Sequence, residues 1–163
     1  MNLNYDGNGL KVLIAYHYIA KYRGPIFLEL YRGSRYNFEF TADVCANNNI
    51  ELADKNFYDE ISVSRVKNVW FFNRLLWQKG LIYKVISGNY KAVILLGDPH
   101  FLTNWILILI LKFRKVKVIV WTHGFVRRNS IKENLKLLML RLVDAIFLYG
   151  DLNKVRLVQR GIT

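Results

Sequence analysis

A strand, a helix and a second strand can be recognised in residues 90–124, YKAVILLGDPHFLTNWILILILKFRKVKVIVWTHG. Tyr90–Leu96 and Val116–Thr122 are short apolar runs, which is typical of strands buried on both faces. The apolar segment Phe101–Phe113 between them has the length of a helix. Strands that alternate with helices lie parallel in one sheet, so this segment predicts an α/β fold.

The same alternation continues towards both ends of the chain. Further strands are predicted at Lys11–Tyr16, Tyr36–Val44 and Ala145–Tyr149. Predicted helices cover Ile26–Tyr31 behind Pro25, then Val66–Ser87, residues 130–143, where Ser130 and Glu133 form a capping box, and residues 151–161, which Asp151 caps. Asn47–Asn49 predicts a polar turn, whereas Ile50–Ser64 is ambiguous. The pattern predicts a single Rossmann-like domain over residues 1–163, with a doubly wound parallel sheet.

The composition is that of a globular domain of 163 residues, 53% hydrophobic and 22% charged. An excess of 24 Lys and Arg over 12 Asp and Glu gives a net charge of +12, which favours nucleic acid, anionic lipid or phosphorylated substrates. The sequence has no zinc-finger spacing, RRM signature or basic zipper, so nucleic acid is not an expected partner.

Three features bear on the compartment of the protein. Cys45 is the only cysteine, so neither an intramolecular disulfide nor a Cys-rich metal site is expected. The first ten residues are polar and have no signal-peptide pattern. The longest apolar run, Trp105–Leu111, is much shorter than the ~20 residues needed to cross a bilayer. We therefore expect a cytoplasmic protein, with peripheral contact to the inner face of the cell membrane left open.

All three histidines, His17, His100 and His123, follow the ends of predicted strands. In a doubly wound sheet those ends form the ligand-binding edge, so each is a candidate substrate-binding residue. A hydrogen-bonded structural role is the alternative for each of the three. His123 is the candidate catalytic residue, because Gly124, also assigned to the substrate site, lets backbone and ligand approach closely. No spacing of Cys or carboxylate residues predicts a metal site, and no cofactor is predicted.

Two loops place arginines beside a helix N-terminus, where free amide groups and the helix dipole favour anions. Arg23 and Gly24 precede the first helix, but no GxGxxG or Walker A pattern is present, which argues against the usual NAD and ATP enzymes. Arg127 and Arg128 precede the capping box and are candidates for binding a phosphate or pyrophosphate. Solvated arginines are the alternative in both loops.

The C-terminal part of the sequence resembles a known family. Trp121-Thr122-His123-Gly124 is followed by a helix through Arg141 and then by VDAIFLYGDLNKVRLVQRGI at residues 143–162. This succession resembles the family-four retaining glycosyltransferases of the GT-B fold. The matching positions in the last segment are Asp144, Ala145, Gly150, Leu157, Gly161 and Ile162.

The resemblance implies that residues 1–163 are the N-terminal, acceptor-side half of an enzyme whose nucleotide-sugar domain is absent from this chain. Such an enzyme moves a hexose from a nucleotide diphosphate sugar to a glycan or lipid-linked acceptor with retention. The family places the equivalent of His123 near the transferred sugar, and the loop around Gly24 near the donor diphosphate. That loop usually carries paired glycines, whereas here Pro25 follows Gly24. A non-catalytic subunit that recruits acceptor or membrane is the alternative.

The predicted helix Val66–Ser87 suggests contact with a membrane. Aromatic residues are interleaved with Lys and Arg, and Trp70 and Trp77, seven residues apart, would share one helical face. Basic and aromatic residues together suit the surface of an anionic bilayer. The alternative is an amphipathic helix whose aromatic residues pack on the sheet.

Overall fold

The computed structural model describes residues 9–33, 35–45, 50–124 and 131–162. In chain order the strands are β1 (Lys11–Tyr18), β2 (Asn37–Asp43), β3 (Val63–Arg65), β4 (Lys67–Phe71), β5 (Leu75–Lys79), β6 (Ala92–Leu96), β7 (Lys117–Thr122) and β8 (Ala145–Leu148). The helices are α1 (Gly24–Gly33), α2 (Lys55–Glu60), α3 (Leu81–Ser87), α4 (Leu102–Phe113), α5 (Ile131–Arg141) and α6 (Asp151–Val158). Among these residues no helix has the length and apolar character needed to span a bilayer.

Six strands form one parallel sheet in the order β3-β2-β1-β6-β7-β8. The chain moves outward from β1 to β3, then returns to β6 on the other side of β1. Right-handed crossovers in opposite directions place helices on opposite faces of the sheet. Accordingly, the sheet has a hydrophobic core on each face. On one face, Val12, Ile14 and Tyr16 of β1 belong to the same core as Phe27 of α1 and Phe57 of α2. On the other face, Leu13 and Ala15 belong to the same core as Leu107 of α4 and Leu157 of α6. The predicted Rossmann-like fold is confirmed.

The helix predicted over Val66–Ser87 is wrong. Residues 67–79 form the antiparallel hairpin β4–β5, and only Leu81–Ser87 is helical. The chain reverses at Phe72 and Asn73, which both have positive φ, and Gly80 at φ 93° separates β5 from α3. Buried Asn68, Leu76 and Gln78 follow the twofold period of a strand, which the abundance of helix-compatible residues obscured. Trp70 pairs with Leu76 and Trp77 with Val69, so the two tryptophans lie on opposite faces of the hairpin.

Smaller differences occur at element boundaries. The ambiguous Ile50–Ser64 region contains α2 and the start of β3. Asp151 is the first residue of α6, and Gly150 occupies the position before it without a side-chain bond, so the predicted Asp151 cap is wrong. The carboxylate of Glu133 accepts a hydrogen bond from Arg160. Ser130 and Asn47–Asn49 lie outside the described residues, so the capping box and the polar turn stay predictions.

The β4–β5 hairpin binds the carboxyl end of the central strand. Strand β1 pairs with β6 through residues 12–15 and continues beyond that contact. The Asn68 side-chain amide donates to the His17 carbonyl oxygen at 2.8 Å, and that of Gln78 donates to the Tyr16 carbonyl oxygen at 3.0 Å. Because unpaired buried backbone groups cost free energy, these two amides let β1 extend past its neighbour.

An ionic cluster ties the amino ends of the central strands together. Glu39 of β2 lies 2.5 Å from the Lys11 ammonium and 3.0 Å from that of Lys84, and it accepts a 2.7 Å hydrogen bond from the Tyr90 hydroxyl. Partial burial alone would raise the pKa of Glu39, but the bonds from Lys11, Tyr90 and Lys84 outweigh it and lower the pKa to about 2. The cluster therefore favours the ionised carboxylate in the folded state.

Replacing Glu39 by Gln is expected to lower the free energy of unfolding at neutral pH, because the ion pairs with Lys11 and Lys84 are lost. The loss should be only about 1 kcal/mol, because solvent screens this partly exposed group. The folded pKa of Glu39 lies below its unfolded value, so this stability is present above the unfolded pKa and is lost as the pH falls towards 2. Urea unfolding of both proteins across this pH range measures the difference. Asp59→Asn, which removes an exposed carboxylate of α2, is the control. A difference that does not shrink as the pH falls would contradict the prediction.

Candidate functional site

A cavity of about 740 Å³ opens at the carboxyl ends of β1, β6 and β7. This is the edge where strand order reverses between β1 and β6. The walls come from the end of β1 and the following turn, from the ends of β6 and β7, and from α5. The polar and aromatic residues that line the cavity are Tyr16, His17, Tyr18, Tyr22, Arg23, Asp98, Trp121, Thr122, His123, Lys132, Glu133 and Lys136. Both its position and its lining are those of a ligand site in a doubly wound sheet.

Arg23 is the central cation of the cavity. It closes the turn after β1, immediately before α1, and its side chain is buried, with only 4% of the residue exposed. Its guanidinium carbon lies 4.9 Å from the ring centroid of Tyr16, 5.4 Å from that of Trp121 and 5.3 Å from that of Tyr149. Aromatic faces attract cations by about 0.5–2 kcal/mol each. The solvated-arginine alternative for Arg23 is therefore wrong.

No carboxylate among the described residues forms a salt bridge with Arg23. Burial by itself lowers the pKa of Arg23, whereas Tyr16, Tyr149 and Tyr22 raise it, and the resulting pKa is above the ordinary value. The side chain is therefore a cation at every working pH. A buried charge that lacks a counter-charge costs several kcal/mol, a cost that an anionic ligand would offset.

His17 is held in the wall by aromatic rings. Its ring centroid lies 4.7 Å from that of Tyr18 and 5.4 Å from that of Phe101, and its Nδ1 atom is buried without a hydrogen-bond partner among the described residues. Burial lowers the pKa of His17 to about 4, with a smaller contribution from Arg23 and an opposing one from Asp98. At neutral pH His17 is an uncharged group in the cavity wall.

His123 follows β7 and stacks on Tyr149, with ring centroids 4.1 Å apart and planes inclined by 10°. Partial burial, with Arg23 and Lys136 nearby, lowers the pKa of His123, so its neutral form is favoured. Gly124 has φ 79°, and a Cβ there would lie 2.5 Å from the Asn153 side chain. A side chain at position 124 would thus meet both backbone strain and a clash, which explains the glycine behind His123.

The carboxylate of Asp98 and the ammonium group of Lys136 also line the cavity. Asp98 after β6 accepts hydrogen bonds from the His100 backbone amide at 3.0 Å and contacts His100 Nδ1 at 2.9 Å. Burial raises the pKa of Asp98, but the bonds from His100 and the charge of Lys132 lower it below its ordinary value overall. Lys136 of α5 donates to the Gly124 carbonyl oxygen at 2.6 Å. The wall therefore combines a carboxylate held by His100 with lysines on one face of α5.

The predicted site residues fall into three groups. His17, Arg23, His123 and Gly124 line the cavity together. His100 lies behind Asp98. Gly24 is buried, and a Cβ added to it would lie 3.4 Å from the Phe57 ring. Neither residue lines the cavity. Arg127 and Arg128 lie outside the described residues. Binding and catalytic roles for all of these stay predictions.

Neither the aromatic rings around Arg23 nor the cavity lysines of α5 were predicted from the sequence. Tyr16, Trp121 and Tyr149 each stand at the end of an apolar run, a position that marks residues at the carboxyl edge of a parallel sheet. Lys132 and Lys136 are four residues apart and so share one helical face. Both signals were present in the sequence, but nothing in it showed that the aromatic rings surround Arg23.

The fold is similar to that of solved UDP-GlcNAc 2-epimerases. The enzyme from Neisseria meningitidis, solved with UDP-GlcNAc, is 15% identical with a TM-score of 0.59. The enzyme from Methanocaldococcus jannaschii, solved with UDP-GlcNAc and UDP, is 20% identical with a TM-score of 0.57. In both comparisons the match covers 95% of this chain and 44% of the other, so the chain spans less than half the length of these enzymes.

No protein-family model matches the sequence, and no curated protein is significantly similar to it. Identities of this size show a shared fold only. The family-four resemblance of residues 121–162 therefore stays a prediction.

The His17 ring is expected to stay neutral at pH values well below the ordinary pKa of histidine, because burial destabilises its charged form. An NMR titration of the imidazole carbon-bound protons should give His17 a midpoint near pH 4. In urea, where burial is lost, the midpoint should return to ~6.5. A midpoint near 6.5 in the folded protein would show that the aromatic enclosure of His17 is incorrect.

Proposed function

We propose that this chain is the acceptor-side half of a nucleotide-sugar glycosyltransferase of the GT-B type. The enzyme would move a hexose from a nucleotide diphosphate sugar to a glycan or lipid-linked acceptor, with retention. The structural observation that supports a diphosphate ligand is the buried Arg23 guanidinium, which faces the cavity without a carboxylate partner among the described residues.

A diphosphate is the ligand that best fits this cation. Its oxygens accept hydrogen bonds in the planar geometry that a guanidinium offers, and its charge offsets the cost of burying Arg23. The aromatic rings around Arg23 fix the guanidinium in place before the ligand arrives. When a hexose leaves a nucleotide diphosphate, negative charge grows on the departing diphosphate oxygen, and a fixed cation stabilises that charge without having to reorient.

His123 is assigned to the sugar and acceptor side of the same cavity. Its stacking on Tyr149 holds the imidazole flat against the wall, and its lowered pKa favours the neutral form. A neutral imidazole can donate one hydrogen bond and accept another, which suits a sugar hydroxyl. Because Tyr149 also contacts Arg23, one ring orients both groups.

The structural neighbours support a nucleotide-sugar ligand, since two of them were solved with UDP-GlcNAc. They do not distinguish transfer from epimerisation. The glycosyltransferase assignment depends on the sequence resemblance in residues 121–162, and that resemblance assigns the nucleotide to a second domain. The cavity of this chain would then supply Arg23, His123 and the acceptor contacts.

The isolated chain is expected to bind a nucleotide diphosphate sugar weakly, with Kd no tighter than about millimolar, because the nucleotide contacts belong to the second domain. Amide chemical shifts measured during titration with UDP-GlcNAc or inorganic pyrophosphate should move around residues 16–23 and 121–124. Arg23→Gln should weaken binding about tenfold, as expected for a lost charged hydrogen bond.

Arg65→Gln is the matched control, because Arg65 is exposed on the edge strand β3. It should leave binding unchanged. Micromolar affinity for UDP or GDP would contradict the assignment of the nucleotide to another domain. Equal shifts in wild type and Arg23→Gln would remove Arg23 from the site.

His123→Ala should lower turnover by about 10²-fold, or about 2.7 kcal/mol of barrier, in an enzyme that joins this chain to its donor-binding half. Transfer of radiolabelled hexose to a lipid-linked acceptor measures the rate, and a thermal melt checks folding. His100→Ala is the comparison, since His100 stands behind Asp98. Near-normal turnover, or a large fall in Tm, would mean that His123 is structural. Absence of transfer with any donor would favour a recruiting subunit.

A further inference from the structure

The hairpin β4–β5 has two chemically different faces. Asn68, Trp70, Leu76 and Gln78 lie on one face, which packs on the domain through the amide bonds to β1. The opposite face carries four apolar residues, Val69, Phe71, Leu75 and Trp77, all of them half-buried except Phe71, which is exposed. Phe71, at 45% exposure, is therefore the part of this face most open to solvent, and it lies next to the turn at the tip.

The turn at the tip of the hairpin carries a second unusual feature. The Arg74 amide donates to the Phe71 carbonyl oxygen at 3.0 Å, and the central residues Phe72 and Asn73 have φ values of 50° and 52°. Asn, Asp and Gly adopt this left-handed region readily, whereas a bulky aromatic residue rarely does. Phe72 is nevertheless 90% exposed, so no packing within the chain compensates its conformation.

Cations border the apolar outer face at both ends. Lys67 and Lys79 are direct cross-strand partners at the base, and Arg74 lies in the turn at the tip. Like charges placed opposite each other destabilise a hairpin. Among the described residues none of these three cations forms a salt bridge. The arrangement is unfavourable in isolation and favourable beside a negative surface.

We propose that the outer face and tip of the β4–β5 hairpin form a docking surface for an anionic lipid bilayer. Phe72 and Phe71 enter the interface between headgroups and acyl chains, while Lys67, Lys79 and Arg74 contact the negative headgroups. The hairpin lies on the bilayer and does not cross it. This inference depends on the hairpin geometry and not on the proposed transferase activity.

The turn offers a variant that separates lipid binding from folding. Phe72→Asn places a residue that tolerates positive φ in the strained position, so the Tm should stay the same or rise. Co-sedimentation with phosphatidylcholine vesicles that contain phosphatidylserine should nevertheless weaken about tenfold, because the exposed ring no longer enters the interface. Binding by the wild type should also fall as salt is raised.

Two controls match these changes in exposure and charge. Phe113→Asn removes an aromatic residue that is 92% exposed at the end of α4 and should leave vesicle binding unchanged. The double variant Lys67→Gln/Lys79→Gln should lose most binding, whereas Lys55→Gln/Lys154→Gln, with the same net charge, should retain it. Lys55 and Lys154 are exposed on α2 and α6.

Several outcomes would overturn the proposal. These are equal binding to pure phosphatidylcholine vesicles, no binding to either kind, or unchanged binding by Phe72→Asn. Equal losses in the two double-lysine variants would show a general effect of net charge. Sedimentation velocity tests the remaining occupant: a dimer that Phe72→Asn dissociates would assign this face to a second copy of the chain.

Discussion

The central strand β1 is the constraint on which the rest of the structure depends. It pairs with β2 on one side and β6 on the other, and the direction of strand addition reverses beside it. Right-handed crossovers then cover both faces of the sheet and leave a crevice at the carboxyl edge. The central residues of β1, β6 and β7 are apolar because they are buried or half-buried on both faces of the sheet, and polar and aromatic groups gather where these strands end. The fold and the position of the cavity therefore have one origin.

The end of β1 also determines what the cavity contains. Gln78 and Asn68 of the hairpin satisfy the Tyr16 and His17 carbonyl oxygens, and the β1–β2 register shifts between Ala15 and Tyr18. The strand can therefore continue far enough to place Tyr16 and His17 in the wall, and the turn that follows returns Arg23 to face Tyr16. The face of the hairpin that carries Asn68 and Gln78 therefore stabilises the domain. The other side, with Phe71 exposed, is the one proposed to contact a bilayer.

The sequence was sufficient to predict the α/β class and the sheet edge, because apolar runs and their spacing reflect burial directly. It was insufficient for residues 66–87, where the hairpin depends on two long-range amide bonds and on positive φ at Phe72 and Asn73. His17 and His123 were correctly expected at one edge, since their strands are parallel. The enclosure of Arg23 was not predictable, because Tyr16, Trp121 and Tyr149 come from three strand ends that only the folded chain brings together.

Arg23 is proposed to be the buried cation that binds the diphosphate of a sugar nucleotide. The most direct measurement is a crystal structure of the chain soaked with UDP-GlcNAc at saturating concentration. We expect diphosphate oxygens within ~3 Å of the Arg23 guanidinium, with the sugar on the side of His123. Ligand bound elsewhere, or bound in the cavity without contacting Arg23, would contradict this role of Arg23.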